Sequence, residues 1–126
     1  MVRQLFCSDI YVKVFRDKFE ILNVNSGKRA VVEPDEPFTT TRLLIGQFLI
    51  AEECLKKGIK QVANNAFVSK SSRVIIQPKE MIEGGLSQVE ERVLLELSAG
   101  AGAFKVKVHI GHEPAITELK KMISKL

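Results

Sequence analysis

The first third of the chain alternates its residues in the way that an antiparallel sheet requires. A first strand is predicted by two interleaved sets of side chains, Ile10, Val12 and Val14 on one face and Tyr11, Lys13 and Phe15 on the other. Phe19 to Val24 and Arg29 to Glu33 are two more apolar stretches, separated by the turn residues Asn25, Ser26 and Gly27. We therefore predict a three-stranded antiparallel meander.

The next segment has the apolar spacing of a helix. The residues that share one helical stripe are Leu44, Phe48, Ala51, Leu55 and Ile59. We predict a helix from about Ile45 to Gln61, preceded by a connector from Pro34 to Pro37 and followed by a polar loop from Val62 to Ser72. The threonines Thr39 to Thr41 either cap this helix or stay irregular.

An unbroken apolar run then indicates a strand that is covered on both faces. Val74, Ile75 and Ile76 form this run, inside a predicted strand from Arg73 to Gln77 that is closed by Pro78. Such runs are typical of buried parallel strands, because both faces of a parallel sheet are usually covered by helices.

A capping box predicts the start of the following helix. Ser87 can accept a hydrogen bond from the amide of Glu90, whose carboxylate can reach back to the amide of Ser87. Gly84 and Gly85 make the turn before it. The residues that we expect on the buried stripe of this helix are Leu86, Val89, Val93 and Leu97.

The remaining elements are a strand and a last helix. Gly100 and Gly102 end the capped helix. The strand from Lys105 to Ile110 must lie parallel to the strand from Arg73 to Gln77, because a crossover of this length returns the chain in the same direction. A last helix is predicted from near Glu113. Its expected inner face is Ala115, Ile116, Leu119, Met122, Ile123 and Leu126.

Composition indicates a globular protein of one domain. The chain has 126 residues, of which 45% are hydrophobic and 27% charged. No apolar run approaches the length of about 20 residues that spans a bilayer, and we expect a cytoplasmic protein. Cys7 and Cys54 are too few for a disulfide framework, so we expect reduced thiols and no metal site.

The net charge of +4 is modest, with a local concentration at Lys120, Lys121 and Lys125. A nucleic-acid interface normally combines a basic patch with interleaved aromatic residues, which this sequence lacks. We interpret the lysines as a solvated helix face and expect no nucleic-acid partner.

The segment from Arg73 to Ala115 resembles the bacterial actin-like MreB family in the order and spacing of consecutive elements. The residues that carry the resemblance are Gly85, Leu86, Ser87, Val89, Glu90, Arg92, Ala101, Gly102, Ala103, Glu113 and Pro114. The likeness from Phe6 to Pro34 is weaker. The resemblance as a whole implies that residues 1–126 form one ribonuclease-H-like lobe, a three-layer α/β fold with a five-stranded mixed sheet. The first meander strand is then expected beside the strand of Ile75, with the last strand at the edge.

The resemblance also implies where nucleotide would bind in complete members of the family. It places Lys13 where an aspartate holds the metal, Phe15 where a glycine lies under the phosphates, and Arg16 where a hydroxyl residue follows. Because a side chain at these positions keeps backbone amides away from an anion, we expect no nucleotide site, no cofactor and no enzymatic activity. Glu113 alone matches a retained family glutamate near the attacking water, and His109 and His112 are poorly spaced for a catalytic pair.

The function that we predict is a non-catalytic MreB-like scaffold or adaptor, linked through the resemblance to cell shape, the cytoskeleton or the cell envelope. We expect self-association, most simply as a homodimer, through Tyr11, Phe15, Met122 and Leu126. Two alternatives remain open. One is a small enzyme or anion-binding protein that uses Lys13, Arg16 and Glu113, and the other is a basic nucleic-acid-associated protein. Weak membrane contact through residues 1–6 is a further expectation.

Overall fold

The computed structural model describes residues 7–63 and 72–126. The strands are β1 (Ser8–Phe15), β2 (Lys18–Asn23), β3 (Arg29–Val32), β4 (Ser72–Pro78) and β5 (Ala103–Val108). The helices are α1 (Phe48–Val62), α2 (Gln88–Gly100) and α3 (Ile116–Ser124). The predicted order of strands and helices is confirmed. The expected membrane contact of residues 1–6 lies outside the described residues, as does most of the predicted loop between α1 and β4.

The five strands form one mixed sheet in the order β3-β2-β1-β4-β5. β1 is antiparallel to β2 and parallel to β4, and β5 is parallel to β4. In this register Tyr11 of β1 lies opposite Leu22 of β2 on one side and Ile75 of β4 on the other. The α/β class and the mixed five-stranded sheet are therefore confirmed, with the first meander strand beside the buried parallel strand as predicted.

One face of the sheet is covered by α1 and α2. The buried residues shared by the sheet and these helices include Ile10, Val12, Val14, Phe19, Ile21, Leu55, Ile59, Val74, Ile76, Leu94 and Leu97. α1 approaches β2 and β3 closely at Gly58, where an added Cβ atom would lie 2.2 Å from Cδ1 of Ile21. Glycine at this point lets the helix lie on the sheet without displacing Ile21.

Of the described elements, only α3 covers the opposite face. Its core consists of Tyr11, Leu22, Val24, Ile75, Leu119 and Ile123, with Met122 and Leu126 partly buried beside them. The described residues thus form three layers, with two helices on one face of the sheet and one helix on the other.

The first helix starts later than predicted. α1 begins at Phe48 instead of Ile45, because the residues before it form an irregular buried segment. Phe38 is fully buried there, and its ring stacks on Phe19 with 4.9 Å between the ring centroids. The carbonyl of Phe38 accepts hydrogen bonds from Gly46 and Gln47, which fixes the path into the helix.

The capping box at the start of α2 is confirmed. The Ser87 hydroxyl accepts from the Glu90 amide at 3.1 Å, and the Glu90 carboxylate accepts from the Ser87 amide at 3.0 Å. The predicted buried stripe is wrong at Val89, which is 74% exposed. The helix faces the sheet through Leu94 and Leu97 instead, a rotation that the spacing of apolar residues alone did not decide.

The last helix is shorter than predicted. α3 begins at Ile116, so Glu113 lies in the connection before the helix and not at its first turn. Ile116 is 43% exposed, whereas Leu119 and Ile123 are almost fully buried. The predicted inner face is therefore confirmed for its central residues and wrong at Ala115 and Ile116, which are exposed.

Candidate functional site

The turn between β1 and β2 lies where the resemblance places a phosphate-binding hairpin. It consists of Arg16 and Asp17, and Asp17 has a positive φ of 52°. The amide of Asp17 donates to the hydroxyl of Thr39 at 3.0 Å, and the amide of Thr39 donates to the carboxylate of Asp17 at 2.8 Å. These reciprocal bonds hold the turn against the irregular segment before α1.

Lys13 is engaged by two carboxylates. Its ammonium lies 3.4 Å from Oε1 of Glu20 and 3.3 Å from Oε2 of Glu113. Lys79, just after β4, lies 3.3 Å from the other oxygen of Glu113. Glu113 therefore bridges Lys13, which lies in β1, and Lys79, which follows the neighbouring parallel strand β4.

The lysines control the charge of Glu113. Partial desolvation acts to raise the pKa of Glu113, but the hydrogen bonds and positive charges of Lys13 and Lys79 outweigh it. The pKa of Glu113 is therefore lower than usual, so the carboxylate is ionised at neutral pH. An ionised carboxylate bound by two cations serves to neutralise them, and it is a weak general base.

The other two positions of the hairpin are also occupied. The ammonium of Lys18 lies 4.6 Å from the centroid of the Phe15 ring. Arg16 pairs with Glu80, at 3.1 Å between Nη1 and Oε1, and its amide donates to the same carboxylate. The structure thus brings Lys13 together with Glu113, but pairs Arg16 separately.

Tyr11, which we expected at a self-association surface, is instead buried and only 3% exposed. Its hydroxyl donates to the side-chain oxygen of Gln77, whose amide group donates to the carbonyl of Gly111 at 2.9 Å. Burial raises the pKa of Tyr11 far above its usual value, and the charge of Glu113 adds to the effect. The other expected interface residues, Phe15, Met122 and Leu126, are half-buried.

The two histidines contact each other but not a nucleophile. Their rings meet edge to face at 5.9 Å between centroids. Nε2 of His109 lies 2.8 Å from the carbonyl of His112, and Nε2 of His112 lies 3.1 Å from the carboxylate of Glu118. The hydrogen bond from His112, followed by that from the Ala115 amide, lowers the pKa of Glu118. These contacts join β5 to the start of α3.

A groove that the sequence reading missed runs between β3 and α1, with a volume of about 750 Å³. We call it the acidic groove. Its walls are Val31, Val32, Glu33, Pro34, Asp35, Glu36, Leu49, Ile50, Glu53, Cys54, Lys57 and Gln61. The cluster of Glu33, Asp35 and Glu36 in a basic protein was the available signal, but only the fold brings α1 beside it.

The burial and the charges in this groove shift the pKa of the Cys54 thiol. Burial raises its pKa most, Lys57 acts to lower it, and the negative charges of Asp35 and Glu33 raise it further. The thiol is therefore protonated at neutral pH and is a poor nucleophile.

A smaller apolar pocket of about 70 Å³ lies between α2 and the segment before α1. Leu43 and Val89 are its exposed members, at 45% and 74%. Val89 therefore lies beside this surface opening and not on the stripe of α2 that packs against the sheet.

In residues 7–63 and 72–126, no group of three or more His, Cys, Asp or Glu side chains is arranged to hold a metal ion. No helix in the same ranges is long and apolar enough to cross a membrane.

These features define a small α/β protein whose hairpin, where the resemblance predicts phosphate binding, is filled by paired side chains. The chain is 33% identical over 115 residues to the uncharacterized protein YjaA of Escherichia coli, covering 86% of this chain and 89% of that protein. The chain therefore belongs to the YjaA family. No protein-family model matches it.

A partial likeness connects the chain with MreB. It is 32% identical over 93 residues to the cell shape-determining protein MreB of Escherichia coli and of Salmonella typhimurium. The match covers 74% of this chain but only 24% of MreB, so the chain spans about a quarter of that relative. The likeness supports an actin-like relationship and is compatible with a role related to cell shape.

Proposed function

We propose that this protein is a non-catalytic, single-lobe relative of MreB that acts through protein contacts, as a scaffold or adaptor in determining cell shape. The ribonuclease-H-like assignment belongs to this proposal, and so does the cytoplasmic location. The observation that carries it is the occupation of the β1–β2 hairpin by Lys13, Phe15 and Arg16, each held by a neighbouring side chain.

The occupied hairpin argues against nucleotide chemistry on physical grounds. A phosphate-binding loop needs backbone amides open to the anion, but the amides of Arg16 and Asp17 already donate to Glu80 and Thr39. An incoming phosphate would also meet the carboxylates of Glu113 and Glu20 beside Lys13. Phosphate binding would require breaking these contacts.

Surface apolar residues support a role in protein contacts. The large apolar side chains that are most exposed are Val31, Leu43, Leu49, Val89, Ile110 and Ile116. Four of them line the two openings described above, two in the acidic groove and two in the apolar pocket. Clustered exposed apolar side chains mark interaction surfaces more often than single ones do.

Calorimetry with ATP and magnesium tests the non-catalytic part of the proposal. We expect no binding tighter than about millimolar, equivalent to about −4 kcal/mol. Saturable micromolar binding, lost in a Lys13→Met variant, would contradict the proposal and favour an enzyme or anion-binding protein.

Two experiments test the scaffold part. Purified chain is mixed with purified MreB and followed by sedimentation, and cell width is measured in bacteria that overproduce the chain. We expect co-sedimentation and a change in width, and an absence of both would contradict the link to cell shape.

Light scattering tests self-association, where a mass of 14.1 kDa at all concentrations would contradict a homodimer.

A further inference from the structure

The acidic groove is a negatively charged surface on a protein whose net charge is +4. Four carboxylates line it, those of Glu33, Asp35, Glu36 and Glu53, whereas Lys57 is the single cation that the described part of the chain places in its walls. None of the four pairs with a lysine or arginine within residues 7–63 and 72–126. The groove therefore keeps its negative charge available to a partner.

Part of the groove lining on α1 is apolar and open to solvent, and we call this part the apolar floor. Leu49 is 76% exposed, and the next residue of α1, Ile50, is half-buried. The groove runs along α1 from Leu49 to Gln61, a distance of roughly 18 Å at the usual helical rise. This combination of length, charge and apolar floor suits an elongated partner better than a small molecule.

A helix fits this groove better than an added strand. β3 is only four residues long, and Pro34, two residues after its last residue Val32, has no amide hydrogen to donate. A strand added at this edge would make few backbone hydrogen bonds. An amphipathic helix lying beside α1 would instead cover Leu49 and Ile50 with its apolar side.

Among the described residues, α3 of a second copy has the basic residues but not the exposed apolar row that such a helix needs. It carries Lys120, Lys121 and Lys125, but the apolar residues Leu119 and Ile123 are buried against the sheet. Docking of α3 from a second copy would therefore satisfy the charge of the groove and leave its apolar floor uncovered.

We infer that the acidic groove binds an amphipathic helix of another protein, about three turns long, with lysine or arginine beside a row of apolar residues. This inference rests on the proposed function, since it states the kind of partner that a non-catalytic adaptor of this shape takes. The basic residues of the partner pair with the groove carboxylates, and its apolar residues cover Leu49 and Ile50.

Synthetic peptides test the inference on the full chain. The probe is an amphipathic peptide of about 14 residues with leucine at helical spacing and flanking lysines, and its twin has glutamate in place of every lysine. Each is titrated into isotopically labelled protein and followed by NMR. We expect the lysine peptide to shift the amides of residues 31–36 and of α1, and the glutamate twin to leave them unchanged.

Matched variants separate a specific site from general attraction. Glu33→Gln with Glu53→Gln should weaken binding of the lysine peptide on the order of tenfold. The control, Glu83→Gln with Glu91→Gln, removes the same charge from exposed carboxylates elsewhere and should change the affinity by less than about twofold. Leu49→Ser should also weaken binding, because it removes apolar floor without changing charge.

Several results would overturn the inference: equal binding of the two peptides, equal losses in the groove and control variants, or shifts confined to other surfaces. If the groove variant instead abolished self-association of the peptide-free protein, the occupant would be a second copy. None of these readouts involves nucleotide or cell width. The inference and the link to cell shape can therefore fail separately.

Discussion

The two faces of the sheet differ in what closes them. The face under α1 and α2 is closed by an extensive apolar core that continues into Phe38 and the segment before α1. The face under α3 has a small apolar centre, and charged side chains such as Lys13, Glu20 and Lys107 occupy the sheet beside it. One helix cannot cover five strands, so the rest of this face is closed by ion pairs and solvated lysines.

The comparison separates stability from surface chemistry. Apolar burial contributes most of the folding free energy, whereas exposed ion pairs contribute little. We therefore expect the two-helix face to determine global stability and the α3 face to tolerate local opening. The following predictions test this difference, from the largest expected effect to the smallest.

Leu55→Ala should produce the largest loss, because Leu55 is fully buried between α1 and the sheet. We expect the free energy of unfolding to fall by about 3 kcal/mol, the usual cost of such a cavity. Denaturant unfolding measures it. Leu49→Ala is the matched control on the same helix, where 76% exposure predicts a change below about 0.5 kcal/mol. Equal losses would contradict the placement of α1.

Ile123→Ala should cost less, about 2 kcal/mol, and act locally. Ile123 is buried on the side of α3 that packs against the sheet, in the smaller of the two apolar cores. Hydrogen exchange should speed up in α3 while the amides of β1 and β4 keep their protection. Acceleration throughout the sheet would show that both faces unfold as one unit, and the proposed division would be wrong.

Two serines of α2 provide the third test. Ser87→Ala removes a reciprocal cap and should cost about 1 kcal/mol. The hydroxyl of Ser98 is buried without a hydrogen-bond partner among the described residues, so Ser98→Ala should be neutral or slightly stabilising. Thermal unfolding of both variants checks the contrast, and a larger loss at Ser98 would contradict it.

The smallest effect concerns the bridge on the α3 face. Because the pKa of Glu113 is lowered in the folded protein, its contribution is present above the ordinary carboxyl pKa and is lost as the pH falls through the folded value. Glu113 is 49% exposed, so Glu113→Gln should cost less than about 1 kcal/mol near pH 7. The difference from the unchanged chain should shrink in acid and vanish once Glu113 is protonated in the folded protein. Glu83→Gln is the control, and a difference that grows in acid would contradict the bridge.

Local patterns determined much of the fold in advance. The alternation from Ile10 to Phe15, the apolar run of Val74 to Ile76 and the box of Ser87 with Glu90 each depend on residues that are near in sequence. The parallel direction of β5 followed from the length of its crossover, whereas the order of the strands in the sheet was expected from the resemblance. These features were predictable because the interactions that cause them are local or topological.

The candidate sites were predictable only in part. The resemblance selected Lys13, Phe15, Arg16 and Glu113, but it did not reveal that Lys79 shares the carboxylate of Glu113. That contact joins residues after β4 and after β5, which only the parallel pairing of those strands brings together. The same holds for the acidic groove, where β3 and α1 meet.

The sequence by itself determined the order and the approximate positions of the strands and helices, because hydrophobic period, turn residues and capping groups act within a few residues. It did not determine where each element ends or which way each element faces. The burial of Tyr11, the exposure of Val89 and the late start of α1 depend on packing between distant segments, such as Phe38 against Phe19. Packing energies of that kind exist only once the sheet has formed, and the tertiary structure therefore decided them.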